Sequence, residues 1–212
     1  MKRVMNREQG EFGIGSLIIF IAMIIVSAVT AVVLIQISYQ LQQQAEDTGN
    51  VAIQDVSTGV KIISIGGYRY NNTWGTTAPY HDVIDWVSIM ITPISGSPPI
   101  NLKDVIIIVS DGNTSVNLVY SSSVEFDGGP NPIGGAGVFG MEIVRDLPPQ
   151  TLENDVLTSG DIVSLSFNAT ANGLNLEPQT YLSIKIIPKH GVSTLKEITT
   201  PSPYISRYVE LM

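Results

Sequence analysis

Between Phe12 and Ala45 the chain carries no charged side chain, and residues 13–37 are almost wholly apolar. From Gly13 to Ile35 the apolar residues fall on all sides, with no amphipathic period. As a helix rising about 1.5 Å per residue, this stretch spans roughly 34 Å, enough for the hydrocarbon core of a bilayer. A secretory signal peptide would be shorter and would end in a small-residue cleavage site after its apolar core. Here the candidate processing glycines, Gly10 and Gly13, stand before the apolar run. Cutting there leaves the apolar helix on the mature chain, at its N-terminus.

The helical pattern continues beyond any membrane. Ile37, Leu41, Ala45, Thr48, Ala52, Val56 and Val60 recur at spacings of three or four, which marks one helix face. Gln36, Gln40, Gln42, Gln43 and Gln44 favour helix without adding charge. One helix from Phe12 to Thr58 is therefore predicted, about 70 Å long. A small globular domain has no use for such a rod, whereas a helix-cored filament does. Gly49 is a candidate bend, and Gly59 a candidate C-terminal cap. Lys2, Arg3 and Arg7 precede the apolar run, and Glu46, Asp47 and Asp55 follow it. By the positive-inside rule the leader stays cytoplasmic and everything after Ala45 is exported.

After Gly59 the period changes to two. Strands are predicted at 61–65, 82–91, 105–109, 116–120, 138–144, 162–167, 181–187 and 208–211, with 105–109 buried on both faces. Gly- and Pro-rich punctuation separates them, including Asp111-Gly112-Asn113, 127–132 and His190-Gly191. Short strands at that spacing indicate a β-sandwich or barrel. The predicted fold class is α+β: a long hydrophobic N-terminal helix followed by an all-β, immunoglobulin-like domain.

Composition removes several functions. The net charge of the 212 residues is −8, and without residues 1–10 it is −10, from eight basic and eighteen acidic residues. No basic patch offsets that charge, so nucleic-acid binding is not expected. There is no cysteine, which excludes disulfides, thiolate metal sites and cysteine nucleophiles. The two histidines are His81 and His190. His81 and Asp82 are neighbours whose side chains would leave a strand on opposite faces, and His190 has a turn composition. No Gly-x-Ser-x-Gly, phosphate loop or His-Glu-x-x-His occurs. Asp111-Gly112-Asn113 reads as a tight turn rather than a calcium loop, which needs more oxygen ligands. No enzyme activity, cofactor or metal site is expected. Three Asn-x-Ser/Thr sequons fall in the exported part, at Asn71, Asn113 and Asn168; the first two lie in turn-like segments, while Asn168 follows a strand.

The N-terminal block Gly10, Glu11-Phe12, Gly13-Ile14-Gly15-Ser16-Leu17-Ile18-Ile19-Phe20-Ile21-Ala22-Met23 resembles the archaellins, the subunits of the archaeal motility filament. Their pattern is a short basic leader, a cleavage glycine, two residues, then Gly-Ile-Gly-(Thr/Ser)-Leu-Ile and a long apolar helix. The likeness continues through Leu41-Gln42-Gln43, Thr48-Gly49, Val56-Ser57-Thr58-Gly59, Leu102-Lys103-Asp104-Val105 and Pro188-Lys189-His190-Gly191. It implies a class III, prepilin-like leader at 1–10, cleaved between Gly10 and Glu11. It further implies a filament-core helix at 11–59 and an outer β domain at 60–212. The core contacts would come from Ile14, Leu17, Ile18, Phe20, Ile21, Ile24, Ile25, Val29, Val32 and Ile35. The implied partners are copies of the chain itself or other archaellins, with a leader peptidase and a membrane export platform met in transit. The product is an extracellular filament for swimming, reached through a membrane-inserted precursor, and the sequons become glycan candidates. Two alternatives differ in mechanism. An adhesive type IV-like pilin commonly has Glu at its fifth mature position, where this chain has Gly15. A membrane-anchored binding domain would not need the amphipathic continuation past Ile35.

Overall fold

The computed structural model describes residues 2–69, 82–122, 124–126, 132–133, 135–148 and 150–212; the side chains of 2–12, 125–126 and 132–133 fall outside that description. The chain divides into two compact units, Met1–Val51 and Ala52–Met212. A single helix, α1 (Lys2–Ser57), supplies the first unit and the opening residues of the second. Its 56 residues correspond to about 84 Å. The helix begins ten residues before the predicted Phe12 and runs through Gly49 without a break.

The helix ends where its hydrogen bonds are handed to the sheet. Thr58 N–H still donates to the Gln54 carbonyl, at 2.9 Å. The next residue, Gly59, forms a parallel bridge with Val192. Gly59 is therefore not the left-handed cap expected, and it is absent from the glycines with positive φ. Its lack of a side chain serves close packing instead, since a Cβ there would meet Ile94 Cδ1 at 2.8 Å. Val60, expected as the last residue of the helical stripe, opens the first strand and is buried in the core.

Among the described residues thirteen strands follow: β1 (Val60–Tyr68), β2 (Trp86–Pro93), β3 (Ile100–Asn101), β4 (Ile106–Ser110), β5 (Ser115–Tyr120), β6 (Glu125–Phe126) and β7 (Pro132–Ile133), then β8 (Val138–Arg145), β9 (Val156–Leu157), β10 (Ile162–Asn168), β11 (Tyr181–Ile187), β12 (Thr194–Thr199) and β13 (Tyr208–Glu210). Nine of them form one sheet in the order β12-β11-β4-β5-β8-β10-β2-β1-β13, with β3–β9 and β6–β7 as separate pairs. All pairings within the nine are antiparallel except β5–β8, a short parallel joint through Val119↔Val138 and Tyr120↔Phe139. The sheet curls back on itself. Val192 N–H donates to the Thr58 carbonyl at 3.2 Å, and the Thr194 hydroxyl donates to the Val60 carbonyl, so the β12 edge returns to β1.

The curl encloses the core. Alternate residues of β2 (Val87, Ile89, Ile91), β4 (Ile107, Val109) and β11 (Leu182, Ile184, Ile186) point inward and are buried, as a period of two requires. Phe139, Leu165 and Phe167 fill the same interior. β4 is buried on one face only, not on both: Ile106 is exposed and Ile108 half-buried. β2 starts at Trp86, because Ile84 N–H donates instead to Leu176 (3.0 Å) and Asp85 N–H to Tyr68 (3.0 Å).

Two buried carboxylates hold loops to this frame. Asp111 Oδ1 accepts from Asn113 N–H (2.9 Å) and Thr114 N–H (2.6 Å), and Oδ2 from Asn175 N–H (3.1 Å). Burial pushes its pKa up, but these backbone donors outweigh burial and hold the carboxyl below its ordinary value. Asp161 is matched in kind: Leu147 N–H, Thr158 N–H and the Thr158 hydroxyl donate to it at 2.7–2.9 Å. Burial is again outweighed by those donors, with help from the Arg145 charge, and the pKa is lowered.

Candidate assembly helix

The ten residues predicted to form a filament core, Ile14, Leu17, Ile18, Phe20, Ile21, Ile24, Ile25, Val29, Val32 and Ile35, are all between 47% and 63% exposed in the single chain. Burying one such side chain is worth about 1.5–3 kcal/mol, so ten left in water would be strongly unfavourable. The most apolar window of the helix has a mean hydropathy of 3.1, and none of that window is buried. The chain thus carries an apolar surface that only another apolar environment can satisfy.

The helix is also prepared for dry surroundings. Between Gly13 and Ser57 every serine and threonine hydroxyl donates back to its own helix. Ser16 reaches the Gly13 carbonyl, and Ser27, Thr30, Ser38, Thr48 and Ser57 reach the carbonyl four residues before, all at 2.7–2.9 Å. A hydroxyl bonded this way asks nothing of its neighbours. From Gly13 onward the amide side chains are confined to residues past Ile35, where Gln42 Nε2 donates to Glu46 Oε1 at 3.1 Å. The expected stripe from Ile37 to Val56 is exposed as well, Leu41 at 61% and Val56 at 81%.

At its C-terminal end α1 is rooted in the β domain. His190 Nδ1 lies 3.1 Å from Asp55 Oδ1 of the helix, and the adjacent Lys189 Nζ lies 3.3 Å from Asp104 Oδ2 within the β domain. A cleft of about 220 Å³ opens beside this root, lined by Gln54, Thr58, Pro99, Asp104 and His190 among others. His190 therefore pairs with the helix, a role its turn composition alone did not signal. Asn71 and His81 lie outside the described residues. Gly10 and Glu11 lie within α1. Asn113 is exposed in the β4–β5 turn. Asn168 is half-buried, and its Oδ1 accepts from Ala171 N–H at 2.8 Å. No cluster of three or more His, Asp or Glu suited to a metal ion occurs among the described residues.

The family model for archaeal-type flagellin matches residues 10–198. The chain belongs to the archaeal-type flagellin family. It is 36% identical to Flagellin B2 of Methanocaldococcus jannaschii, covering 94% of this chain and 92% of that protein. It is 35% identical to Flagellin B5 of Pyrococcus abyssi, covering 96% and 99%. Among solved structures it resembles the crystal structure of archaeal flagellin FlaB1 from Methanocaldococcus jannaschii, with a TM-score of 0.60 at 26% identity over 73% of this chain and 96% of that one. The fold of the archaeal flagellum of Methanospirillum hungatei strain JF1 matches with a TM-score of 0.63, at 15% identity over 94% and 99%. A flagellin of this family is a structural subunit of an extracellular motility filament and not an enzyme. Nothing in the comparisons supports the adhesive-pilin alternative.

Proposed function

We propose that α1 serves the flagellin twice, first as the membrane span of a precursor and then, after cleavage between Gly10 and Glu11, as the packed core of the polymer. The observation that carries this reading is the unbroken apolar surface from Gly13 to Ile35, exposed on every side of the helix. Lipid tails and packed helices are similarly apolar, so the exchange depends on close fit rather than on a new hydrophobic gain. Gly13, Gly15, Ser16, Ala22, Ser27, Ala28 and Ala31 are small enough to let neighbouring helices approach. Cleavage also removes the basic leader, which otherwise holds the N-terminus at the cytoplasmic surface. A leader peptidase and a membrane export platform act on the precursor, and the β domain forms the outer sheath. Asn113 and Asn71 are the glycan acceptors of that sheath, Asn168 the least suited.

Mass spectrometry of filaments sheared from cells tests the reading directly. The expected mature chain begins at Glu11 and is recovered in polymers visible by electron microscopy. A chain that begins at Met1, or beyond Ile35, overturns it, because either the leader or the absence of the helix would leave no such core.

A further inference from the structure

Cleavage of the leader changes the charge of the rod as well as its length. Lys2, Arg3 and Arg7 leave with residues 1–10, and no Lys, Arg or His remains between Glu11 and Ser57. An α-amine ordinarily carries a proton at neutral pH, so the new terminus at Glu11 is the single cation of the mature helix. The Glu11 carboxylate offsets that charge. The helix dipole adds roughly half a positive charge at the same end, however, so the tip stays positive. In a core built of packed helices water cannot solvate that charge, and an anion must.

Three acids follow on the helix, Glu46, Asp47 and Asp55, and their surroundings differ. Asp55 is paired with His190. Asp47 has amides at five of the six positions three, four or seven residues away, namely Gln40, Gln43, Gln44, Asn50 and Gln54. Those positions are its neighbours on the helix surface, and their composition suits a wet side. Glu46 instead has Tyr39 seven residues before it and Ile53 seven after, a spacing of two helical turns. Tyr39 is 67% and Ile53 66% exposed, so a neighbour that covers both covers Glu46 as well.

The carboxylate of Glu46 is open to such a neighbour. Gln42 Nε2 donates to its Oε1, and among the described residues no cation lies against it. Gly49, three residues on, has no atom within 4 Å of the place a Cβ would take, which leaves a notch beside Glu46.

We propose that the mature N-terminus of one copy docks in this notch on a second copy, with its α-ammonium against Glu46. This rests on the filament-core reading above. Thirty-five residues separate position 11 from position 46, so parallel copies joined this way are offset by about 52 Å along the rod. The contact joins two different patches and so repeats from copy to copy without closing, which is the geometry a polymer requires. Cleavage then creates the contact, because before it the helix runs on to Lys2 and no ammonium stands at Glu11.

The absence of cysteine makes the placement directly readable. Glu11→Cys is combined with Gln42→Cys in one chain and with Gln40→Cys, on the amide side, in another. Sheared filaments whose mature start at residue 11 is verified by mass spectrometry are then oxidised. A ladder of covalent multimers is expected from the first pair only. Filaments of the first pair that give no ladder, or equal ladders from both pairs, overturn the docking. If the cysteine variants do not assemble, charge removal decides. Glu46→Gln should shorten filaments several-fold, while Asp47→Asn leaves their length unchanged; full-length filaments from Glu46→Gln, or equal shortening by both, overturn the proposal. Unmodified chain that forms no filaments, or filaments that keep residues 1–10, would instead defeat the filament-core reading itself.

Discussion

Gly191 has no room for a side chain against Thr58: a Cβ at its position would lie 2.1 Å from the Thr58 carbonyl oxygen. Its φ of +95° adds a backbone requirement that L side chains rarely meet. The β11–β12 turn therefore presses directly on the last residues before the sheet, where Val192 N–H donates to the Thr58 carbonyl.

Gly191→Ala should accordingly destabilise the β domain by more than about 2 kcal/mol, combining positive-φ strain with a backbone clash. In a domain of this size that lowers the melting temperature by about 4–8 °C. Thermal unfolding of a chain that begins at Ala52 measures it. An unchanged transition would mean that the turn is free to move away from the helix root.

Ile24→Asp tests the apolar span at its middle. An Asp at a helix centre in lipid costs roughly 2.5–3.5 kcal/mol on insertion scales. In a polymer the same unpaired charge would recur in every subunit within one dry core. Filaments should be lost. The β domain, whose core includes Ile107 and Phe167, should unfold as before. Electron microscopy of sheared material and the melting curve read the two effects separately.

Asp161 should make stability fall in acid. Its pKa is held below the ordinary carboxylate value, so its contribution is complete above the unfolded value near 3.9. That contribution is lost as pH drops through the lower folded value. Asp161→Asn turns an amide donor toward Leu147 N–H or the Thr158 donors and should cost about 1–3 kcal/mol at neutral pH. Urea unfolding at pH 7 and near pH 3 should show the gap between wild type and variant narrowing in acid.

Asn113 and Asn168 should differ in glycan occupancy. The Asn113 side chain stands in an exposed turn. At Asn168 the amide oxygen is engaged by Ala171, and the sequon hydroxyl of Thr170 donates to Asp85 at 3.0 Å. Glycopeptide mass spectrometry should find added sugar on the Asn113 peptide and none on the Asn168 peptide.

Local pattern made much of this fold legible. The eight predicted strands correspond to β1, β2, β4, β5, β8, β10, β11 and β13, because each alternates or clusters apolar residues between turn residues. β12 was not legible. Thr194-Leu-Lys-Glu-Ile-Thr is an edge strand with charged residues and few buried ones, so its hydrophobic signal is weak. The run of isoleucines in β4 suggested burial on both faces, and only the register with β5 and β11 shows that Ile106 faces outward. Gly59 is constrained by packing and not by the helix cap its position suggests. Its constraint comes from Ile94, thirty-five residues away, and sequence spacing carries no trace of such an approach. The apolar span was the most legible part, since it depends on composition alone. The His190–Asp55 pairing joins residues 135 positions apart, and only the fold brings them together.

The hydroxyls folded back onto α1 have one more consequence. A helix moving from lipid into a polymer would ordinarily have to surrender some polar contacts and find others, and each orphaned intermediate would slow the step. Here the groups that might hesitate are already partnered within the moving rod. If the rod makes the proposed passage, its change of surroundings is a change of neighbours, so fit of shape, not exchange of polar partners, governs the step.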